Sequence, residues 1–415
     1  MKRLLNNATM IGFAIFLTVA YQISLGTSFI VPPRASGCAI NLSNLDPEPI
    51  VVSTSNYEFL YPELDTSTIA IAADETVVIS CPGGKLTLGS TAAGTTITAT
   101  CQSGTTFTTD GDTFNFNQIT CSRNPFHTAR YTGNSCEAGG REIEIGFILT
   151  DDSFAQQILI CFDEKNLNPL YSTFDLTRSI GAHESGVDRP SFIEDDFYNL
   201  ATRVNDLYVR GGQQATINGL LGLPADSTKY IEDSSNYFLA RGHLTAKADF
   251  VYAPQQTATF HYVNAAPQWQ TFNGFNWENA ESDVRDYADS SGLDLKVYTG
   301  TYGVSTLPHE ETGEDVPLYL YVDDDGNTAL PVPELYWKVV YNPANGQGVA
   351  LLGINNPYQK DVDKSIICKD ISSSIKWLNW KATDLDAGYS YACAVDDFRT
   401  KVSYLPDFEV TGLLM

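Results

Sequence analysis

Lysine and arginine are scarce in this chain. Its 415 residues hold 25 Lys and Arg against 50 Asp and Glu, for a formal net charge of −25. Phosphate contacts dominate the affinity of proteins that coat polyanions, and such proteins carry a basic excess. This composition therefore excludes tight, indiscriminate coating. Cys-x-x-Cys is absent, which argues against a structural zinc ribbon or a thioredoxin-type redox pair. Also absent are a Gly-x-Ser-x-Gly elbow and, after His309-Glu310-Glu311, the second His of a zinc protease. Cys81-Pro82-Gly83-Gly84-Lys85-Leu86 lacks the leading Gly of a phosphate loop and has Leu86 where Ser or Thr would hold Mg²⁺. Aligning Gly326 with the turn of a calcium loop puts Tyr321 and Val332 at its first and last ligand positions, so Asp323-Asp324-Asp325 reads as a turn.

Long apolar runs are missing too, except near the start. Lys2 and Arg3 precede an uncharged, mainly apolar stretch over 10–20. A spanning helix needs about 20 residues, so the stretch predicts a signal peptide over residues 1–26, with an uncleaved anchor as the alternative. Export makes sense of eight cysteines as disulfides. Six of them lie between Cys38 and Cys161 and permit 15 connectivities, while Cys368 and Cys393 pair if bonding respects the gap. Asn41-Leu42-Ser43 is a glycosylation sequon.

Residues 27–140 are rich in Thr, Ser and Gly. Short alternating runs over 75–80, 95–101, 105–109 and 113–121 predict strands separated by turns, hence a cysteine-rich β-domain. A mixed unit over 141–415 opens with the alternating segment 142–149. Further strands are predicted over 158–162, 171–176, 258–264, 293–298, 318–322, 337–341 and 348–353, with helices over 197–210, 273–288 and 372–380.

The informative feature lies in this second unit. Arg241, Gly242 and His243 are followed at set distances by Asn264, Pro267, Gln268, Asn273, Trp277, Glu281 and Arg285. The spaced series resembles the active-site signature of the DNA/RNA non-specific endonucleases, the ββα-metal nucleases. The stretch 237–281 is similar to secreted arthropod nucleases of the double-stranded-ribonuclease and salivary-endonuclease type. Val297-Tyr298-Thr299-Gly300, Val332-Pro333, Trp337-Lys338 and Asn355-Asn356-Pro357 extend the likeness across the second unit.

The resemblance implies an α+β fold, a ββα-metal nuclease domain of mixed sheets and helices preceded by a cysteine-rich β-domain. It implies hydrolysis of DNA and RNA, double-stranded RNA included, with little sequence specificity and 5′-phosphate products. His243 is the implied general base and Asn273 the implied ligand of Mg²⁺, for which Mn²⁺ can substitute. Glu281 would orient a metal-bound water, Arg241 and Arg285 would bind phosphate oxygens, and Asn264 would brace the site. The residue types suit the roles: imidazole takes a proton near neutral pH, an amide oxygen suits a hard ion, and guanidinium pairs with phosphate.

Blander readings stand beside each one: a structural His243, an N-cap Asn273, an exposed helical Arg285 and a core Trp277. Asn273, Trp277 and Glu281, at i, i+4 and i+8, are expected on one helical face. Ala240 departs from the acidic residue the family often has before Arg-Gly-His. With the acidic charge, it keeps open a second class of function, a catalytically silent secreted binding protein on a nuclease fold. No membrane association is expected after leader removal.

Overall fold

The alternating run at 142–149 forms the centre of Arg141–Thr150, a strand of the principal sheet. The computed structural model describes residues 36–415, so the expected leader lies outside the described residues. Eight strands run antiparallel in the order Thr128–Ser135, Arg141–Thr150, Ser153–Asp163, Asn168–Leu176, Leu295–Tyr302, Leu335–Asn342, Gln347–Ile354 and Ser390–Cys393. Gly412–Leu413 adds a ninth, parallel to Gln347–Ile354. After Leu176 the chain leaves this sheet, and it returns at Leu295 beside the strand it left. Every signature residue from Arg241 to Arg285 lies in that excursion.

Amino-terminal to the principal sheet, a five-stranded antiparallel sheet joins Ile50–Ser53, Thr76–Ser80, Thr96–Ser103, Thr106–Thr109 and Asp112–Asn115. Cys38–Cys101 and Cys81–Cys121 staple this region, and Cys136–Cys161 fastens the end of Thr128–Ser135 to the strand Ser153–Asp163. Cys368 bonds Cys393, as the gap between the cysteines suggested. Thr128–Ser135 lies on the amino-terminal side of the expected 140/141 division yet pairs into the principal sheet. One buried cluster runs from Val52 and Phe107 through Phe147 to Val284. Among the described residues no helix is long and apolar enough to cross a membrane.

Several expected elements differ. Residues 197–210 do not form one helix. Phe197 and Tyr198 turn their rings onto Phe162, 6.4 and 5.7 Å between centroids, and regular helix starts only at Val204–Leu207 and Arg210–Leu221. The expected strand 258–264 is a series of tight turns: Asn264 donates its side-chain amide to the Thr259 carbonyl, and pairing is limited to a single bridge between His261 and Ile193. The expected helix 372–380 reduces to the 3-10 turn Ser372–Ser374, as Asp283 holds the backbone N–H and Nδ2 of Asn379 at 2.6 and 2.7 Å. A 3-10 turn, Phe116–Gln118, splits the strand expected over 113–121.

Candidate active site

Leu239–His243 and Ala265–Trp269 form an antiparallel ribbon, and the chain passes directly from it into a helix, giving a ββα unit. Side chains alternate along a strand, so Arg241 and His243 share a face and Gly242 points to the other. There, a Cβ on Gly242 would lie 2.4 Å from Gln268 Oε1 and 2.7 Å from the Tyr336 hydroxyl. Only glycine lets the ribbon settle onto those two side chains. Pro267, opposite Arg241, is tolerated because the ribbon has just two strands.

Two buried amides hold the ribbon in place. Asn264 Oδ1 accepts from Thr245 N–H at 3.0 Å, while its Nδ2 donates to the carbonyls of Thr245 and Thr259. Asn355 Oδ1 accepts from Trp269 N–H, and its Nδ2 donates to the carbonyls of Pro267 and Pro333. Asn264 is fully buried and does not line the cleft. It fixes the backbone immediately after His243.

The helix is regular over Gln270–Phe272 and Glu278–Ser291 but wound as a π-turn over Asn273–Trp277. Such wide turns recur at functional sites. Phe272 and Trp277, five residues apart, bring their rings within 5.4 Å, and both pack with Leu244, Ala266 and Tyr336 in a small core beneath the ribbon. The extra residue shifts the helical phase. Gly274 and Glu278 therefore accompany Asn273 and Glu281 along the cleft, and Trp277 packs in the core, the reading preferred for it, and does not share their face.

Arg241, His243, Asn273, Glu281 and Arg285 line one cleft of about 520 Å³. Size alone does not identify it: a hollow of about 650 Å³ around Tyr131, Phe197 and Tyr321 holds no histidine and a single cation, Lys165. Sequence reasoning missed His183, Arg189 and Lys247, which also line the cleft. Four cationic side chains, Arg189, Arg241, Lys247 and Arg285, there face Glu184, Glu278 and Glu281, a local balance opposite in sign to that of the whole chain.

His243 is 8% exposed, its ring packed against Phe192 and Phe260 at 4.9 Å from each, and its Nε2 is buried without a hydrogen-bond partner. Burial, aided by Arg189, pushes its pKa down to about 3, so the ring is neutral at neutral pH. Arg241 Nε donates to the Tyr262 hydroxyl at 2.8 Å and Nη2 to Asn205 Oδ1 at 3.0 Å, and its guanidinium lies over the Tyr208 ring. Arg285 Nη1 donates to Asp249 Oδ1 at 2.9 Å. Burial opposes the Arg285 charge, but Asp249 and Glu281 hold it above the ordinary arginine range.

Burial pushes the Glu281 carboxyl up to about 7, with Lys338 working against the rise and Asp249 adding to it. Lys338 is itself buried, its Nζ donating to Thr299 Oγ1 at 2.6 Å, and burial lowers its pKa.

Asn273 Nδ2 donates to Gln270 Oε1 at 3.2 Å, an orientation that leaves Oδ1 for a cation. Glu278 and Glu281 line the same cleft, so the groups around Asn273 offer oxygen, the donor a hard divalent ion prefers. A separate cluster of Cys136, Glu137 and Cys161 offers no thiolate, because its cysteines are bonded to each other.

The sequence profile of the DNA/RNA non-specific endonuclease family matches residues 139–398. A salivary endonuclease of Lutzomyia longipalpis is 28% identical over 380 residues, covering 89% of this chain and 85% of that protein. Salivary protein Tsal1 of Glossina morsitans morsitans is 25% identical over 74% of this chain and 75% of its own length. A solved EndoG/EndoGI complex aligns with 62% of this chain and 87% of its own, at 18% identity and a TM-score of 0.39, a likeness too weak to argue from.

Proposed function

Because the chain belongs to the DNA/RNA non-specific endonuclease family and is thus a phosphodiester hydrolase, we propose that it is a secreted, Mg²⁺-dependent enzyme that cuts DNA and RNA, double-stranded RNA included, at this cleft. The observation that carries the reading is the meeting of a buried, partnerless imidazole, an amide–carboxylate oxygen set and two guanidinium groups in one depression.

His243 takes a proton from the attacking water. Its neutrality keeps the ring able to accept, and a phosphate anion bound nearby raises its basicity. Arg241, held by Tyr262 and Asn205, presents its remaining donors to a phosphate oxygen. Arg285, with one arm fixed by Asp249, stabilises charge that develops on phosphorus. Asn273 would hold the divalent ion and Glu281 would orient its water, and the bound ion would stabilise the leaving 3′-oxygen, leaving a 5′-phosphate on the product. Little sequence specificity follows from a site that grips phosphate and reads no groove. Four disulfides and salivary relatives support export.

Incubation of the purified protein with plasmid DNA and long double-stranded RNA tests the reading. Cleavage is expected with Mg²⁺, none with EDTA, and recovery when Mg²⁺ is restored. Cleavage indifferent to chelation would refute the mechanism. Intact substrates from a folded protein would favour the silent binding protein that Ala240 keeps open.

A further inference from the structure

The π-turn has a second side. Gln270, Asn273 and Gly274 line the cleft, whereas Thr271 and Phe275, interleaved with them, line a neighbouring hollow of about 510 Å³. We propose that this hollow is a nucleobase subsite, in which Phe275 stacks on an unstacked base of the strand whose phosphate occupies the cleft. The proposal rests on the nuclease reading and extends it to how the strand is held.

Four observations lead there. Phe275 is 49% exposed, one of few large apolar side chains so placed among the described residues, and it lies two residues from Asn273. Thr271, 6% exposed, lines the same hollow, and its buried Oγ1 lacks any hydrogen-bond partner, so an unused polar group lies at the wall. The walls are fixed: buried Asn276 donates to the carbonyls of Lys381 and Gly388 and accepts from Lys381 N–H, fastening that loop to the π-turn. Tyr237, two residues before the ribbon, donates its hydroxyl to Asp386 Oδ1 across the hollow.

The charges select the occupant. Asp384 and Asp386 outnumber Lys381, the one cation of the hollow, and so disfavour phosphate there, while Asp386 retains an oxygen able to accept from the exocyclic amine of a base. A planar ring with N–H groups on its edge fits an exposed phenyl, a free hydroxyl and a carboxylate. The phosphate attached to it belongs on the other side of the turn, among the arginines. A base must leave its stack to enter, so single strands and frayed duplex ends meet the demand first.

The test uses the full chain and an end-labelled single-stranded DNA carrying one abasic nucleotide. Stacking on an aromatic side chain changes affinity by roughly five- to a hundredfold per base. Wild type is expected to cut poorly at a phosphate flanking the abasic position, by a factor in that range. Phe275→Ala should erase that discrimination while Phe275→Trp keeps it, with circular dichroism checking that each variant is folded. Equal cleavage at all positions by wild type, or discrimination that survives in Phe275→Ala, would overturn the proposal. Should wild type cut nothing, the nuclease reading fails separately. Calorimetry with a trinucleotide and its abasic analogue then decides: a base-dependent affinity lost in Phe275→Ala supports the subsite, and equal affinities overturn it.

Discussion

Two buried histidine regions of this molecule invite comparison. At His243 the ring packs against two phenyl groups and its Nε2 bonds to no protein group. At His261, 1% exposed, both nitrogens are engaged: Nδ1 donates to Asp195 Oδ2 at 2.7 Å, and Nε2 shares a hydrogen with His127 Nδ1 at 2.8 Å. That chain ties His127, beside the disulfide-stapled region, to the loop through Asp195 that also carries Arg189 and Phe192 toward the cleft. Leaving a buried polar atom unpaired costs about 1–3 kcal/mol. Other buried atoms, Ser305 Oγ and Trp377 Nε1 among them, also lack partners, so what sets His243 apart is that its unpaired ring also lines the cleft. His261 is spent on structure, and His243, in the proposed reading, is left for chemistry.

The largest expected effect separates the two outright. His243→Ala should lower cleavage by about 10²- to 10⁴-fold, the usual worth of a positioned general base, with little change in Tm. His261→Ala should leave His127 and the part-buried Asp195, 16% exposed, without their shared partner and cost about 1–3 kcal/mol in urea unfolding, while the folded fraction still cuts. Interchanged outcomes would break the comparison.

A smaller effect comes from acid. Burial, aided by His261, lowers the His127 pKa to about 3, as burial lowers that of His243. Both are thus neutral in the fold at a pH where the unfolded chain takes up protons. Their stabilisation is complete above pH 6.5 and is lost as pH falls from there toward about 3. Each should account for roughly 2 kcal/mol by pH 5. Burial raises the Glu48 and Glu281 carboxyls, which respond with the opposite sign over this range, so the difference between wild type and His127→Gln isolates the imidazole: from pH 7 to 5 the variant should lose about 2 kcal/mol less. The smallest change, Asp195→Asn, keeps an acceptor oxygen for His261 and should cost about 1 kcal/mol; a loss as large as that of His261→Ala would show the carboxylate charge to be the main tie.

Much of the site was legible because its chemistry is packed into a short stretch of sequence. From Arg241 to Arg285 the residues follow one ribbon and one helix, so spacing converts directly into geometry. His183 and Arg189 reach the cleft, and Lys338 comes near enough to act on Glu281, through tertiary packing, which leaves no local pattern. The strands of the principal sheet were readable from alternation, since burial on one face imposes a period of two. Residues 197–210 and 372–380 were misread as helices because aromatic packing at Phe197 and the hold of Asp283 on Asn379 outweigh local propensity. The π-turn was equally hidden, as nothing in Asn-Gly-Phe-Asn-Trp forbids regular winding.

That turn makes chain length a forgiving quantity at one point in the molecule. A turn bonded i to i+5 holds one residue more than a regular helical turn. Deleting a single residue between Asn273 and Trp277 would therefore let regular winding take over with Glu281 and Arg285 still facing the cleft and Asp283 still holding Asn379. One residue more or fewer between Glu281 and Arg285 has no such slack, because each regular helical residue advances the winding by about 100°. An alignment gap there would disarm a relative that still spelled every signature residue correctly.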